Sequence, residues 1–336
     1  MRAAVINEPH GEFIFEERRV PIFGPDEVLI RVRACGVCGG DLKVRDGQFP
    51  FIRYPLVMGH EIAGTIEAVG ERVLNLKPSA SVGVSALYSS CGTCPQCLGG
   101  DDCLCARVEL TGATRDGGYQ EYMVAPAAYV APLPKGLDFA DAAPLMCAGL
   151  TVYSGIQHAG FRPGRKVAVI GFGGFGQVAV LFAKAMGARV AVLSTSNDQE
   201  CYAQQLGAEC FININERIPA EALTAWDGGA DLVLATVPNA ETIAAAFSGV
   251  AIDGTMMVLS PPAAPISISP FDLIRGRRRL MGSASGSRND LRNTMAFAVA
   301  HGIRVPVNRV AFEELPNVFA DMETGKIQIK TVVVMN

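Results

Sequence analysis

The sequence has no long apolar run and no concentration of charge of one sign. No stretch of about 18 consecutive apolar residues is present, and the first residues, MRAAVINEPHGEF, contain no apolar segment of the kind found in signal peptides. Lysine and arginine total 29 against 33 aspartate and glutamate, and the small acidic excess is not gathered in one region. These absences exclude a membrane span and argue against nucleic acid or an anionic membrane as a partner, so we predict a cytoplasmic protein.

Charged residues are also scarce, at 18% of the chain, whereas hydrophobic residues reach 49%. This balance excludes general disorder and predicts a well-buried globular fold. A length of 336 residues exceeds what one hydrophobic core usually supports, so we expect about two domains. Seven of the ten cysteines lie between Cys35 and Cys105. In a reducing compartment, cysteines clustered in this way are metal ligands or buried thiols rather than disulfides.

The sequence pattern changes at about residue 150. Before it, stretches such as EVLIRVRACGVC and AGTIEAVGERV alternate branched apolar and polar residues between glycines, as the strands of a small barrel-like domain do. After it, short apolar strands such as KVAVIG and RVAVLS alternate regularly with helical segments. That alternation predicts an α/β fold with a doubly wound parallel sheet. The final strand-like segments, VPVNRVAF and KTVVVM, are predicted to return to the first domain.

A glycine-rich turn, GFGGFG, comes directly after one of these apolar strands and opens a helix. In the pattern GxGxxG the first glycine permits a tight turn, the second lets the backbone approach a pyrophosphate, and the third allows close helix packing. The N-terminus of the helix adds free N–H groups and positive potential. Because the turn lies inside a complete βαβ unit, we predict a dinucleotide site formed by Gly171, Gly173, Gly174, Phe175 and Gly176.

The tip of the next strand bears on the choice between the two nicotinamide cofactors. NAD sites place an acid there, against the ribose 2′-hydroxyl, whereas this chain has Ser194, Thr195 and Ser196. Hydroxyl groups can accommodate a 2′-phosphate that an acid would repel, so we predict NADP(H) in preference to NAD(H). No Lys or Arg follows in the loop and Asp198 is close by, so NAD(H) remains an alternative.

Four cysteines in a turn-rich run, SSCGTCPQCLGGDDCLC, have the spacing of a zinc site: Cys91, Cys94, Cys97 and Cys105. Four thiolates satisfy the tetrahedral preference of zinc, and short loops with Gly and Pro let the chain wrap around one ion. So polar a stretch could not bury four unrelated thiols. We therefore predict a structural zinc site, although Cys103 leaves the identity of the fourth ligand open on spacing alone.

A second candidate metal set is dispersed along the chain: Cys38, His60 with Glu61, and Cys147. Open catalytic zinc sites take three protein ligands and leave a position for water or substrate, and Cys-His-Cys is one such set. Separation in sequence makes spacing a poor guide, because a lone His or Cys is usually packed in a core. On the residues alone, both interpretations stay open.

Five motifs occur along the chain in the order GVCGGD, GHEIAGTIEAVG, CGTCPQC, LMCAGLTVY and GFGGFG. In that order they resemble the zinc-dependent alcohol dehydrogenases of the medium-chain dehydrogenase/reductase superfamily, over essentially the whole chain. The resemblance implies a GroES-like catalytic domain at residues 1–148 and 286–336, enclosing a Rossmann domain at residues 149–285. It also implies two zinc ions per chain and a homodimer or homotetramer.

The resemblance implies roles in a catalytic zinc site by position. Cys38, His60 and Cys147 match the catalytic zinc ligands. The adjacent Glu61 matches an acid that lies beside the metal and can exchange into its shell. Asp41 matches the carboxylate that orients the histidine, which would fix its tautomer and raise its basicity.

The remaining correspondences concern the structural zinc and the cofactor. The structural zinc ligands of the family are matched by Cys91, Cys94, Cys97 and Cys105. Cys103 and Cys35 are then spare thiols. Thr151 falls where the family's residue meets the nicotinamide.

One pair of positions departs from the family pattern. The second residue after the first zinc cysteine is normally Ser or Thr, whose hydroxyl passes the alcohol proton outward, often to a histidine three residues further on. Here those two positions are Gly40 and Lys43. The usual proton relay is therefore missing.

The expected function is hydride transfer between NADP(H) and an alcohol or aldehyde, with zinc polarising the oxygen. The alternatives are a reductase of an activated C=C or C=N bond, and a dinucleotide-binding protein without turnover. The expected substrate is a small-molecule alcohol or aldehyde with an apolar or bulky group. This expectation follows from the hydrophobic side chains that fall near the expected pocket: Phe49, Phe51, Leu87 and Tyr88.

Overall fold

The computed structural model describes residues 1–335 and divides into two compact units. The first unit contains Met1–Leu150 and the chain from Gly286 onward, and the second contains Thr151–Ser285. The chain therefore leaves the first unit and returns to it, and each unit has its own buried core. Among the described residues no single helix is long and apolar enough to cross a membrane, and one bent pair, Phe139–Met146 with Ala148–His158, meets that test only when its two helices are joined.

The N-terminal part of the first unit is mostly β-structure. Its strands are β1 (Arg2–Ile6), β2 (Ile14–Glu17), β3 (Glu27–Val37), β4 (Leu56–Val57), β5 (Glu61–Val69), β6 (Ser81–Val84), β7 (Leu87–Ser89), β8 (Glu109–Leu110), β9 (Tyr122–Pro126) and β10 (Ala131–Pro132). Its helices are α1 (Gly39–Arg45), α2 (Pro95–Gly99) and α3 (Phe139–Ala142), and α4 (Ala148–His158) follows them.

The long strands β3 and β5 organise this part of the chain. They pair antiparallel with two register shifts, and the apolar side chains of β3, such as Ile30 and Val32, are buried in the first unit's core. At the end of the ladder Gly36 lies opposite Glu61. The last residues of β3 and the first of β5 are thereby brought next to the start of α1, where the segment ACGVCGGD turns from strand to helix.

The second unit alternates strand and helix, as its sequence predicts. Its elements are β11 (Lys166–Ile170), α5 (Gly174–Ala185), β12 (Arg189–Ser194), α6 (Glu200–Gln205), β13 (Cys210–Asn213), α7 (Pro219–Ala225), β14 (Ala230–Ala235), α8 (Ala240–Phe247), β15 (Val250–Val258), α9 (Pro270–Gly276) and β16 (Arg279–Gly282). The strands are parallel, in the order β13-β12-β11-β14-β15-β16. The sheet changes direction of winding at β11, so the predicted doubly wound fold is confirmed.

Some elements of this sheet have no clear pattern in the sequence. β13 has four residues and ends in the polar Asn213. β16 also has four residues, with Arg279 and Leu280 exposed, because it is the edge strand of the sheet. Strands this short carry too few alternating positions to be recognised by hydrophobic periodicity.

The C-terminal segment adds α10 (Arg288–Ala300), β17 (Val307–Ala311), α11 (Leu315–Glu323) and β18 (Lys330–Val334) to the first unit. β18 pairs parallel with β17 and antiparallel with β3. Its register sets Thr331 opposite Val37. The side chain of Lys330, the first residue of β18, therefore reaches the end of β3.

Candidate metal centres and cofactor site

The segment ACGVCGGD forms the end of β3 and the first turn of α1. Cys38 is the N-cap of α1, with its Sγ accepting a hydrogen bond from the backbone N–H of Gly40 at 3.5 Å. An Asp41 carboxylate oxygen in turn accepts from the N–H of Cys38 at 2.9 Å. This is a capping box in which a cysteine takes the place of the usual Ser or Thr. The helix start thus fixes Cys38 and Asp41 relative to each other.

Asp41 is completely buried and connects three groups. Its Oδ1 lies 2.9 Å from His60 Nδ1, and its Oδ2 accepts from the Tyr119 hydroxyl at 2.9 Å. Because a carboxylate only accepts, Nδ1 of His60 carries a hydrogen, and in the neutral ring Nε2 therefore has the lone pair that can bind a metal. Burial alone would lower the pKa of His60, but the Asp41 carboxylate outweighs it and raises that pKa well above its usual range. Tyr119 was not predicted, because no motif links it to Asp41.

Four side chains of the first unit converge beside this pair. The ligand atoms of Cys38, His60, Glu61 and Cys147 all lie within 4.8 Å of one another. The two sulfur atoms are 3.9 Å apart, and the hydrogen bond from the Cys147 thiol holds the pKa of Cys38 well below its usual range. Two sulfurs, an imidazole nitrogen and a carboxylate are a donor set that zinc accepts. The structure therefore brings together the dispersed residues that the sequence could not join by spacing.

Glu61 is a buried carboxylate with one bound and one unpaired oxygen. Its Oε1 accepts from Lys330 Nζ at 2.6 Å, whereas its Oε2 has no hydrogen-bond partner among the described residues. Burial raises the pKa of Glu61 above its usual value, and the Lys330 ammonium group acts most strongly in the opposite direction, favouring the carboxylate. An unpaired buried carboxylate oxygen is costly unless a cation or donor meets it. The residues present therefore fit a divalent metal ion at this position.

Two residues that position Glu61 could not be predicted from the sequence. Lys330 is buried, and its Nζ also donates to the carbonyl of Val37 at 3.1 Å. Gly36 provides space, because a Cβ at that position would overlap with Glu61 Oε2. Neither carries a local pattern, since one is an ordinary lysine at a strand start and the other is a glycine within a strand.

The second candidate metal centre is the predicted cysteine cluster. The sulfur atoms of its members lie within 4.8 Å of one another: Cys91, Cys94, Cys97 and Cys105. Backbone N–H groups donate hydrogen bonds to these sulfur atoms, and the Ser90 hydroxyl oxygen lies 3.2 Å from Cys97 Sγ. Cys103 lies outside the group, and burial raises the pKa of its thiol to about 11. The structure thus favours Cys105 over Cys103 as the fourth member.

In the second unit, the glycine turn between β11 and α5 has the geometry that a dinucleotide site needs. Gly171 has φ +93°, which L-residues with a side chain rarely adopt. A Cβ at Gly173 would meet nothing within 4 Å, so this position is open to an approaching ligand. A Cβ at Gly176 would overlap with the carbonyl of Gly171. Gly174 and Phe175 begin α5. The first N–H groups of an α-helix have no acceptor within the helix, so they can bind an anionic group of a ligand.

The remaining predicted cofactor residues lie at strand and helix ends of the second unit. Ser194 is the last residue of β12, and its hydroxyl donates to Gln199 Oε1 at 2.6 Å. Thr195 is exposed, and the Ser196 hydroxyl accepts from the N–H of Asp198 at 3.2 Å. Thr151, in α4, has its hydroxyl 3.2 Å from that of Ser285.

Gly40 lies directly against the first candidate metal centre. A Cβ built on Gly40 would be 3.3 Å from His60 Cε1, 3.7 Å from His60 Nε2 and 3.8 Å from Cys38 Sγ. A Cβ on the preceding Gly39 would meet nothing within 4 Å. The two glycines are therefore not equivalent, because only the second faces the metal-ligand atoms.

The hydrophobic side chains predicted near the substrate are divided between two surroundings. Phe49 and Phe51 stack with their ring centroids 5.3 Å apart and their planes 8° from parallel. Tyr88 instead lies under the Arg115 guanidinium and lines a cavity of about 320 Å³ with Met1 and other residues outside the metal centres. The stacked phenylalanines remain the candidates for substrate contact.

Two family models match the chain. The alcohol dehydrogenase GroES-like domain matches residues 24–135, and the zinc-binding dehydrogenase model matches residues 174–300. An alcohol dehydrogenase of Geobacillus stearothermophilus is 37% identical over 334 residues, which covers 99% of this chain and 98% of the relative. An alcohol dehydrogenase of Rhizobium meliloti is 35% identical over 337 residues, covering 100% and 99%.

Solved structures resemble the whole chain as well. A cinnamyl alcohol dehydrogenase of Sorghum bicolor superposes with a TM-score of 0.92 at 30% identity, over 99% of this chain and 97% of that one. The CAD of Helicobacter pylori complexed with NADP(H) superposes with a TM-score of 0.91 at 26% identity, over 99% and 97%. The similarity therefore extends over both units.

The two clusters predict two zinc ions per chain. Cys38→Ala should remove one ion with little effect on folding, because it takes a ligand from an open site. Cys94→Ala should remove the other and also destabilise the protein, because a structural zinc contributes its binding energy to the folded state. Elemental analysis and thermal unfolding measure both effects, with Cys103→Ala as the matched control that keeps two ions. A content near one, abolished by Cys94→Ala and unchanged by Cys38→Ala, would contradict the first centre.

The buried ion pair predicts a strong dependence of stability on Lys330. Lys330→Met removes one partner of a buried pair, for which a loss of about 3–5 kcal/mol is typical. The double variant Lys330→Met/Glu61→Gln should recover most of that loss, because it removes both charges. Denaturant unfolding of the two single variants and the double variant gives the coupling energy directly. Additive effects would mean that the pair does not stabilise the fold.

Proposed function

Because the chain belongs to the zinc-dependent alcohol dehydrogenases of the medium-chain dehydrogenase/reductase superfamily, as its motifs predict, we propose that it transfers hydride between NADP(H) and a bulky apolar alcohol or aldehyde. The coarser activity, a zinc-dependent oxidoreductase of alcohols and aldehydes, follows from its relatives. The finer proposal concerns the cofactor, the substrate class and the residues that act. The observation that carries it is the convergence of Cys38, His60, Glu61 and Cys147 next to the buried Asp41.

We assign the catalytic zinc to Cys38, His60 and Cys147, with Glu61 as an additional carboxylate that can enter the coordination shell. When bound, zinc supplies a Lewis acid for the substrate oxygen, and the nicotinamide supplies or accepts the hydride. Asp41 orients His60 so that Nε2 is presented as a ligand. Lys330 offsets the negative charge that Glu61 adds to the two sulfurs.

We assign the structural zinc to the four-cysteine cluster and the dinucleotide to the glycine turn. The four cysteines occupy a loop whose short α2 begins at Pro95, directly after Cys94. Leu98 and Leu104 in this loop are exposed, so metal binding can order a segment whose leucines are not buried. The turn at Gly171, Gly173 and Gly176 offers the α5 N-terminus to the pyrophosphate, and Thr151 is assigned to the nicotinamide.

The absence of a hydroxyl at position 40 supports a second candidate chemistry. Gly40 borders His60 and Cys38 but offers no group to pass a proton. Positioned proton transfer typically contributes about 10² to 10⁴ in rate, so plain carbonyl reduction and alcohol oxidation would be slowed without a substitute. Hydride addition to a conjugated C=C bond or to an iminium depends less on such a relay. We therefore retain reduction of an activated C=C or C=N bond as the alternative.

A substrate panel distinguishes the two candidates. We expect turnover of a bulky saturated aldehyde and of its α,β-unsaturated counterpart, with product analysis identifying the bond that is reduced. Fast reduction of both carbonyl groups with the C=C bond untouched supports the alcohol dehydrogenase and leaves the glycines as a matter of pocket size. Reduction of the C=C bond in preference to the carbonyl would overturn it. Tight cofactor binding without consumption of any substrate would instead indicate a binding protein without turnover.

Gly40→Ser tests whether the missing hydroxyl limits the rate. If it does, alcohol oxidation should rise by about tenfold or more, in the lower part of the range for positioned proton transfer. The new Cβ lies 3.3 Å from His60 Cε1, so the ring must shift by only a few tenths of an ångström. Gly39→Ser is the matched control, because its Cβ meets nothing within 4 Å. Equal rates in both variants would show that the glycine serves another purpose.

The preference for NADP(H) is supported by Ser194 at the position where NAD sites carry an acid. The H. pylori CAD, which has a similar fold, was solved with NADP(H). Ser194→Asp should shift the ratio of kcat/KM values toward NADH, because the new carboxylate repels a 2′-phosphate and can accept from a free 2′-hydroxyl. Steady-state kinetics with both cofactors measure the ratio. Equal or better use of NADH by the unmodified protein would refute the preference.

We also propose that the protein is a homodimer or homotetramer. In the second unit β16 is an edge strand with one side unpaired, and edges of this kind are usually protected in solution. Exposed apolar side chains lie in or next to this region in sequence: Ile252, Phe271, Ile274 and Leu280. A light-scattering mass of a single chain would contradict this proposal.

A further inference from the structure

The tips of β12 and β13 lie side by side in the second unit. Ser194 and Asn213 are partners in the parallel ladder, and the N–H of Ile214 donates to the carbonyl of Ser194 at 2.9 Å. Asn213 is the last residue of β13, and the residue is only 9% exposed. In open α/β sheets, ligands bind beyond the carboxyl ends of the strands. Asn213 and the residues after it therefore border the edge to which we assign the ribose of the cofactor.

A hydrogen-bond network joins this strand tip to the loop after β12. Asn213 Nδ2 donates to Asn197 Oδ1 at 3.0 Å and to Glu216 Oε1 at 2.8 Å. Asn197 Nδ2 donates to the same Glu216 Oε1 at 2.7 Å. Asn215 Nδ2 adds a bond to the carbonyl of Thr195 at 2.8 Å. One oxygen of Glu216 thus receives two amide N–H groups, which hold its carboxylate against the loop at residues 195–199.

Glu216 and the adjacent Arg217 are both exposed, and they do not form an ion pair with each other. The hydrogen-bond partners of Glu216 are the neutral amides of Asn197 and Asn213, and no ion pair to Glu216 is formed within residues 1–335. The loop itself adds Asp198 and contains no Lys or Arg. The tip of the sheet therefore combines neutral hydroxyls, which tolerate a phosphate, with an anchored negative charge, which does not.

We propose that Glu216 is a specificity-determining residue of the cofactor site, lowering the affinity for a 2′-phosphorylated nicotinamide dinucleotide relative to the unphosphorylated one. The inference rests on the proposed dinucleotide site at the ends of β11 and β12. A 2′-phosphate carries close to two negative charges and a free 2′-hydroxyl carries none, so a fixed carboxylate nearby discriminates between the two by repulsion. The Asn197 and Asn213 amides hold Oε1 of the exposed Glu216 side chain against the loop.

Glu216→Gln tests the proposal with little change of shape. A glutamine Oε1 can still accept from both amides, so the loop keeps its network while the charge is lost. In the zinc-loaded protein the Kd for NADPH should fall by about threefold to tenfold, and that for NADH should change by less than about twofold. Enhancement of reduced-nicotinamide fluorescence on binding measures both constants without turnover. The gain for NADPH should shrink in 1 M salt, where the Debye length falls to about 3 Å.

Glu209→Gln is the matched control. Glu209 precedes β13 at the opposite end of the strand, where it pairs with Arg189 at 2.9 Å. Removing this charge should leave the ratio of the two Kd values unchanged. An unchanged ratio in Glu216→Gln, an equal change for both cofactors, or an equal effect of Glu209→Gln would overturn the proposal.

The outcome is independent of the overall cofactor preference proposed above. That preference is decided by the ratio of Kd values in the unmodified protein, whereas the role of Glu216 is decided by the change of that ratio in the variant. A protein that prefers NADH but shifts toward NADPH in Glu216→Gln would refute the preference and uphold the role. Failure of both cofactors to bind would refute the dinucleotide site and this inference with it.

Discussion

A buried ammonium group needs a negative partner, and Lys330 meets that need with Glu61 at 2.6 Å. The two residues are 269 positions apart, so the pair forms only when β18 lies against the end of β3. The same pairing sets the carboxylate beside Cys38, His60 and Cys147. The return of the chain to the first unit is therefore a condition for the candidate metal centre, since without β18 Glu61 would be buried without the Lys330 ammonium group.

Space is the second constraint on the site, and glycines provide it. Gly36 leaves the volume that Glu61 Oε2 occupies, and Gly176 lets α5 approach the carbonyl of Gly171. Their role is close approach rather than flexibility, because any side chain would overlap with a neighbour. Gly40 differs from them, since a Cβ would fit there with a small adjustment. Packing therefore does not require glycine at position 40, so its main consequence is the missing hydroxyl beside the metal-ligand atoms.

Sequence patterns predicted those features that depend on local order. The alternation of strand and helix gave the doubly wound sheet, and close spacing gave the cysteine cluster, within which the structure selects Cys105. Spacing could not unite Cys38, His60 and Cys147, which needed the family resemblance. Lys330 and Tyr119 escaped both approaches, because contacts between residues this far apart in sequence are set by strand register and leave no periodic trace. Glu216 escaped for a similar reason, since the four-residue β13 positions it.

Position 40 has no side chain, and the second position of the family's proton relay is Lys43, one turn along α1. Burial lowers the pKa of Lys43 from its usual value. An ammonium group can donate a proton to an oxygen that gains negative charge, but it must first lose a proton before it can accept one. If Lys43 exchanges protons with the site, the first turn of α1 is thus better suited to carbonyl reduction than to alcohol oxidation at neutral pH. A histidine in the same place could serve both directions, because its unperturbed pKa lies near neutrality.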